Sequence, residues 1–189
     1  MRPGKSSFAT AGLLAGLVPG LLLAGDFGKH PETRLFINEM VERHQFDRQA
    51  LQALFADAEK REDILEAIAR PAESKPWHQY RPIFLTRSRI DGGVDFWKQN
   101  TAILERAEKA YGVDAAIVVA IIGVETRYGA NPGSYRVIDA LATLAFEYPP
   151  RSKFFRSELE QFLVLSREEN VDLRTATGSY AGAMGYGQF

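Results

Sequence analysis

Glu125 stands at the end of an otherwise apolar run, Ala115-Ala116-Ile117-Val118-Val119-Ala120-Ile121-Ile122-Gly123-Val124, and is followed by Thr126-Arg127-Tyr128-Gly129. Burying a carboxylate is costly unless it is paired or protonated, so such a residue is seldom there for stability. Helical spacing puts Ile121 and Ile122, four and three residues earlier, on its face. A carboxyl group held against apolar side chains has its pKa pushed upward, as a general acid working near neutral pH requires. The same segment also reads as a helix-end glutamate that pairs with an arginine or reaches solvent, and the run alone leaves both open. A second stretch with chemical potential is Thr177-Gly178-Ser179-Tyr180-Ala181-Gly182-Ala183-Met184-Gly185-Tyr186-Gly187-Gln188-Phe189. Its glycines allow close backbone approach to a ligand, and its tyrosines offer stacking faces and hydroxyls. The spacing fits neither a phosphate loop nor a dinucleotide-binding fingerprint.

Other chemistries are excluded by composition. There is no cysteine, which removes disulfides, thiolate metal sites and cysteine nucleophiles. His30, His44 and His78 are scattered, form no ligand spacing and read as surface or helix-end histidines. The expectation is therefore no metal and no cofactor. A net charge of -1 gives no argument for nucleic acid as a partner.

The elements that must position these residues are helical. A length of 189 residues with 46% hydrophobic composition suits one globular domain. Almost no period-2 alternation is present, which makes the chain all-α. Pro31 opens a helix carrying Leu35, Phe36, Met40 and Val41, and Asp47 caps a second with Leu51, Leu54 and Phe55. A short third helix runs through Ile64, Leu65 and Ile68 and stops before Pro71. Residues 71–82, with three prolines, read as an extended connection bearing Trp77 and Tyr80. Asp91-Gly92-Gly93 reads as a turn before a long helix from Val94 to Tyr111, which Gly112 ends. Asp114 caps the run bearing Glu125; helices over 138–146 and 152–167 follow, separated by Pro149-Pro150.

The amino terminus reads as a leader. Arg2 and Lys5 precede a charge-free stretch, Ser6 to Gly25, with a leucine-rich centre and small residues at its end, in the manner of a secretory signal peptide. Pro19 and four glycines make it a poor spanning helix. Leu23-Ala24-Gly25 resembles the start of a lipoprotein processing site, but Asp26 follows in place of cysteine. The expected division is residues 1–25 as leader and 26–189 as the N-terminal part of a folded domain. The end at Gly187-Gln188-Phe189, directly after the glycine-rich motif, suggests a truncated sequence.

Together, Ile121-Ile122-Gly123-Val124-Glu125-Thr126-Arg127-Tyr128-Gly129 and the run from Gly178 to Phe189 resemble the paired signature of the lytic murein transglycosylase B family. Gly25-Asp26-Phe27, Phe46-Asp47-Arg48-Gln49, Val94-Asp95-Phe96-Trp97, Ile138-Asp139-Ala140-Leu141-Ala142-Thr143-Leu144 and Glu158-Leu159-Glu160-Gln161-Phe162 also match, so the resemblance covers Gly25 to Phe189. It implies an all-α, lysozyme-like catalytic domain, here incomplete, that acts in the periplasm on peptidoglycan glycan strands. The family cleaves the MurNAc–GlcNAc β-1,4 bond without water and leaves a 1,6-anhydro ring. One glutamate acts as acid and then as base, so a missing second carboxylate is no objection.

By position, the resemblance gives Glu125 the catalytic role, and Ser179 and Gln188 the orienting of the sugar. It makes Tyr80 a groove tyrosine and Arg151 one of two substrate-contacting arginines, the other position being Pro150 here. Met184 and Tyr186 fit either the groove or the core. Family members continue with further helices and an EF-hand-like loop, so this chain is expected to be poorly stable and weakly active as written. A monomer is expected, with cell-wall synthesis or remodelling proteins as possible partners. Two other readings stay open. One is a muramidase-type hydrolase, for which Glu147 or Asp139 would be the second carboxylate; the other is a non-catalytic peptidoglycan-binding fragment.

Overall fold

The computed structural model describes residues 25–70 and 75–188. The expected leader up to residue 24, the segment 71–74 and Phe189 lie outside them. Gly25 already belongs to the packed structure: its N–H donates to the Ala56 carbonyl at 2.6 Å, and Phe27 beyond it is fully buried.

Helix α1 (Pro31–His44) starts where Pro31 supplies a preset φ and the Nδ1 of His30 accepts the Glu32 N–H at 3.3 Å. Helix α2 (Arg48–Asp57) opens on Asp47, whose carboxylate accepts from the Ala50 amide at 2.7 Å. A short α3 (Glu62–Ile68) follows. Helix α4 (Trp77–Tyr80) and a 3-10 turn over Arg81–Ile83 lead into α5 (Arg87–Tyr111), which Gly112 ends in the left-handed conformation. Helix α6 (Ala115–Thr126) is capped by Asp114, which accepts from the Ala116 amide at 2.7 Å. Strand β1 (Tyr135–Arg136) runs into α7 (Val137–Glu147). A 3-10 turn over Pro149–Arg151, helix α8 (Ser152–Glu169) and strand β2 (Thr177–Gly178) complete the order. The two strands pair antiparallel, with Tyr135 opposite Gly178 and Arg136 opposite Thr177.

Three sequence expectations change. The long helix does not begin at Val94 after a glycine turn; it begins at Arg87, and Gly92 and Gly93 lie inside it. The Thr86 hydroxyl accepts from the Arg89 amide and starts the helix seven residues early. The glycines serve as space, since a Cβ at Gly93 would meet the Tyr128 hydroxyl at 2.6 Å. Residues 77–83 are helical turns and not an extended connection, because Pro76 and Pro82 each occupy a helix-start position that tolerates proline. A two-residue ladder joins 135–136 to 177–178, too short to leave an alternating pattern in the sequence.

The core gathers around α7, whose residues 137–145 are all buried. Phe27, Phe36 and Phe55 surround Phe146 at centroid distances of 5.8, 6.0 and 6.1 Å. Phe155, Leu159 and Leu163 of α8 close the other side. Burial of each such side chain contributes roughly 1.5–3 kcal/mol. Two polar residues of α7 are buried with partners: Asp139 accepts from the Glu59 amide and Thr143 from the Arg61 amide, both at 3.0 Å. Arg136 adds an ion pair to Asp139 at 3.1 Å. A second, smaller cluster of Leu104, Ala115 and Val119 joins α5 to α6.

Burial holds the Asp139 carboxyl above the usual carboxylate range, against the partial offset of the Glu59 amide and Arg136. The folded state therefore keeps this proton to higher pH than the unfolded chain. The group's contribution to stability is greatest in acid and declines as pH rises from about 4 through its raised folded value. Asp139→Ala should destabilise by about 2–3 kcal/mol, because two donors lose their acceptor. In urea unfolding across that window, the stability of the wild type relative to Asp139→Asn should fall with rising pH and then level off.

Candidate active site

Glu125 lies in the last turn of α6 and is exposed. The apolar enclosure that the sequence suggested is not formed: of the two isoleucines expected on its face, Ile121 is 46% exposed and Ile122 is half-buried. The reason is which face of α6 packs. Ala115, Val119, Gly123 and Thr126 recur at helical spacing and are the buried residues, so this mostly small face packs while Ile117 and Ile121 point away. Among the described residues no side chain is hydrogen-bonded or ion-paired with the carboxylate, so it matches the solvent-reaching alternative and is open to a ligand.

The chain after Glu125 turns sharply. Arg127 and Tyr128 have φ of 52° and 61°, two consecutive non-glycine residues in the left-handed region. The Thr126 side chain is fully buried, its hydroxyl shared between the carbonyls of Ile122 (3.2 Å) and Tyr186 (3.0 Å). The same oxygen accepts from the Gly129 amide at 3.0 Å. Thr126 thus stitches the turn that carries Glu125 to the glycine-rich loop. The Tyr186 ring lies over Gly129, where any Cβ would clash at 1.8 Å.

In that loop the Ser179 oxygen accepts from the amides of Ala181 (3.3 Å) and Ala183 (3.1 Å), and among the described residues its O–H has no acceptor. The Gln188 amide nitrogen donates to the carbonyls of Pro132 (3.1 Å) and Gly185 (3.0 Å), and among the described residues its Oε1 has no donor. The strand that supports the loop is anchored by Tyr135, whose hydroxyl donates to Asp63 at 3.1 Å. The Arg61 guanidinium, with that hydroxyl, holds the Asp63 carboxyl below the usual range.

The expected site residues separate into places. Arg151, Met184 and Gln188 line one groove of about 530 Å³ beside α8, with the Arg151 guanidinium 4.4 Å from the Phe154 ring centroid. Tyr186 lines a different cleft of about 590 Å³, with Phe96, Ile122 and Tyr128. Tyr80 lines neither; its ring meets Phe84 at 5.0 Å. Met184 also packs against the main core. The two carboxylates considered for a hydrolase are engaged elsewhere: Asp139 under the 59–61 loop, and Glu147 with His30 (3.1 Å) and Lys60 (3.4 Å). Sequence reasoning gave no role to Thr126, Arg89 or Tyr128. Only the last had a signal, a large aromatic placed after a helix-ending turn and matched by distant glycines.

A family model described as "Transglycosylase SLT domain" matches residues 28–189. The membrane-bound lytic murein transglycosylase B of Escherichia coli (strain K12) is 44% identical over 177 residues, which is 88% of this chain and 49% of that protein. The chain therefore spans about half the length of the curated relative it matches. The Escherichia coli lytic transglycosylase SLT35, solved in complex with bulgecin A, superposes with a TM-score of 0.82 at 45% identity, covering 88% of this chain and 54% of its own. The soluble lytic transglycosylase SltB1 of Pseudomonas aeruginosa gives 0.80 at 55% identity, covering 84% and 54%. SltB3 of the same organism, in complex with NAG-NAM-pentapeptide, gives 0.76 at 32% identity, covering 84% and 42%.

Because Ser179 is the acceptor for two loop amides, Ser179→Ala should destabilise by about 1 kcal/mol. Hydrogen exchange at the Ala183 amide should accelerate while α7 amides keep their protection.

Proposed function

The chain belongs to the SLT-domain transglycosylase family, with that family's lysozyme-like helical fold, and on this premise we propose that it cleaves the MurNAc–GlcNAc β-1,4 bond of peptidoglycan with Glu125 as its one catalytic group. The observation that carries this reading is the Thr126–Tyr186 hydrogen bond, which fastens the Glu125 turn to the loop bearing Ser179 and Gln188. That bond joins the two signature motifs to each other.

In the first step protonated Glu125 gives its proton to the glycosidic oxygen as the bond to muramic acid C1 breaks. In the second the muramic acid C6 hydroxyl attacks C1, and its proton returns to the Glu125 carboxylate. A 1,6-anhydro ring and a free GlcNAc 4-hydroxyl result, and no water is consumed. Ser179 donates to, and Gln188 accepts from, sugar polar groups, so the two read opposite hydrogen-bond senses. The Arg151 cation suits substrate carboxylates, and Tyr80 gives an aromatic face for a sugar ring.

We place the protein in the periplasm, exported by its leader and acting as a monomer, with residues 26–189 as the N-terminal part of its catalytic domain. Proteins of cell-wall synthesis or remodelling are the partners to expect. Among the described residues no helix is long and apolar enough to cross a membrane. The hydrolase reading is disfavoured because Asp139 and Glu147 are both committed to other contacts.

Mass spectrometry of soluble products from purified peptidoglycan tests the proposal. Wild type should release anhydromuropeptides, and Glu125→Gln should release at least about 100-fold fewer. Reducing-end products would instead establish hydrolysis, and glycan binding unaltered by Glu125→Gln, without turnover, would make the chain a binding module.

A further inference from the structure

The last four carbonyls of a helix lack intrahelical partners, and in α6 these include Gly123, two residues before Glu125. The Arg89 guanidinium, reaching across from the first turn of α5, donates to the Gly123 carbonyl at 2.7 Å. In return the Tyr128 hydroxyl donates to the Arg89 backbone carbonyl at 2.9 Å. These two bonds form a closed loop around Glu125, one attached before it and one after it in sequence.

The Tyr128 ring occupies a slot that only glycine permits. A Cβ at Gly123 would approach ring atoms to 2.6 Å, one at Gly93 would meet the hydroxyl at 2.6 Å, and one at Gly92 would lie 3.2 Å from the ring. The ring enters this slot because Arg127 and Tyr128 both adopt positive φ, a conformation costing a non-glycine residue roughly 1–2 kcal/mol each. Such a cost persists only where surrounding contacts over-determine it. Arg89 also lies over the Phe84 ring at 5.3 Å, and Phe84 meets Tyr80 at 5.0 Å. The aromatic cluster that carries Tyr80 is thus tied to the helix end that carries Glu125.

We propose that Arg89 and Tyr128 are positioning residues for Glu125: they brace the end of α6 against α5 and fix the carboxyl relative to Tyr80 and the glycine-rich loop. This rests on the transglycosylase reading for its catalytic meaning, while the brace itself is a property of the fold. The positive charge of Arg89 at a helix carboxy terminus also favours this contact.

The test uses the full chain and four variants: Arg89→Met, Arg89→Lys, Tyr128→Phe, and Arg87→Met as a control at an exposed neighbour. Amide hydrogen exchange is read at Gly129 and Asn131, whose N–H groups bond to Thr126 in the turn. Turnover of glycan strands is followed by anhydro-product release. Arg89→Met should speed exchange at both amides about tenfold, with α7 and α8 amides unmoved, and should lower kcat about tenfold at unchanged KM. Arg89→Lys can still reach the carbonyl and should recover most of both, Tyr128→Phe should shift both in the same direction, and Arg87→Met should change neither. Unchanged exchange at Gly129 and Asn131 in Arg89→Met and Tyr128→Phe overturns the proposal, as does a loss of protection spread evenly over the chain. If wild type forms no anhydro product, what fails is the proposal that this chain, spanning about half of its relative, is active by itself, and the exchange data still decide whether the brace exists.

Discussion

Burial of α7 on every side is the constraint from which the rest of this molecule follows. Nine consecutive buried residues leave no face for solvent, so every polar group on the helix needs a protein partner. Asp139 and Thr143 obtain theirs from the 59–61 backbone, which draws the end of α2 and the start of α3 onto the helix. Helix α8 packs along another side, and β1 leads straight into the amino terminus of α7. Because β1 pairs with β2, the position of α7 also sets where the glycine-rich loop begins. Gly182 rests against Leu141 so closely that a Cβ would meet that side chain at 2.4 Å. The loop bearing Ser179 is in this sense laid on the most rigid element of the fold.

The α5–α6 pair follows a different logic. Helix α6 is apolar almost throughout, yet Ile117, Ile121 and Val124 are about half exposed. Its contact with α5 uses alanine, glycine, valine and threonine, and close approach of the helices outweighs burial of the largest side chains there. That choice admits the Tyr128 ring between the helices and turns Glu125 outward. The small cluster around Leu104 and Val119 gives this pair far less apolar burial than the core around α7. Polar and aromatic links therefore do more of the holding at this end.

Much of the scaffold was legible from local chemistry. Asp47, Asp114 and Gly112 mark helix ends by mechanisms that act within a few residues, and each acts as expected. Gly92-Gly93 misled because a glycine pair states only that no side chain is present. Whether this means a turn or room for a neighbour depends on Tyr128, 35 positions beyond Gly93 in sequence and touching it in space. Glu125 stood out by type, but its burial could not be read: where every neighbouring position is apolar, periodicity does not name the packed face. Arg89 gave no sequence signal, since a helix-start arginine looks the same whether it faces water or a carbonyl 34 residues away.

A reaction that asks one carboxyl group to give a proton and then take one back places a particular demand on its support. The group must hold its position between the two steps, because movement of about 1 Å between them would waste the alignment gained in the first. If Glu125 is that group, as proposed, its exposure makes the demand sharper, since among the described residues no side-chain hydrogen bond or ion pair confines it. The restraint has to come from the backbone, and the turn after Glu125 supplies it. Thr126 is bonded to Tyr186, and Tyr128 is locked among three glycines. Gln188 is spent on Pro132 and Gly185 except for one acceptor, and Ser179 on two amides except for one donor. Side chains that have only one hydrogen-bonding sense left can orient a sugar without being free to reorient themselves. On the proposed reading, the rigidity that the chemistry asks for is built from bonds within the protein, with the remaining polar atoms of Ser179 and Gln188 left for a sugar.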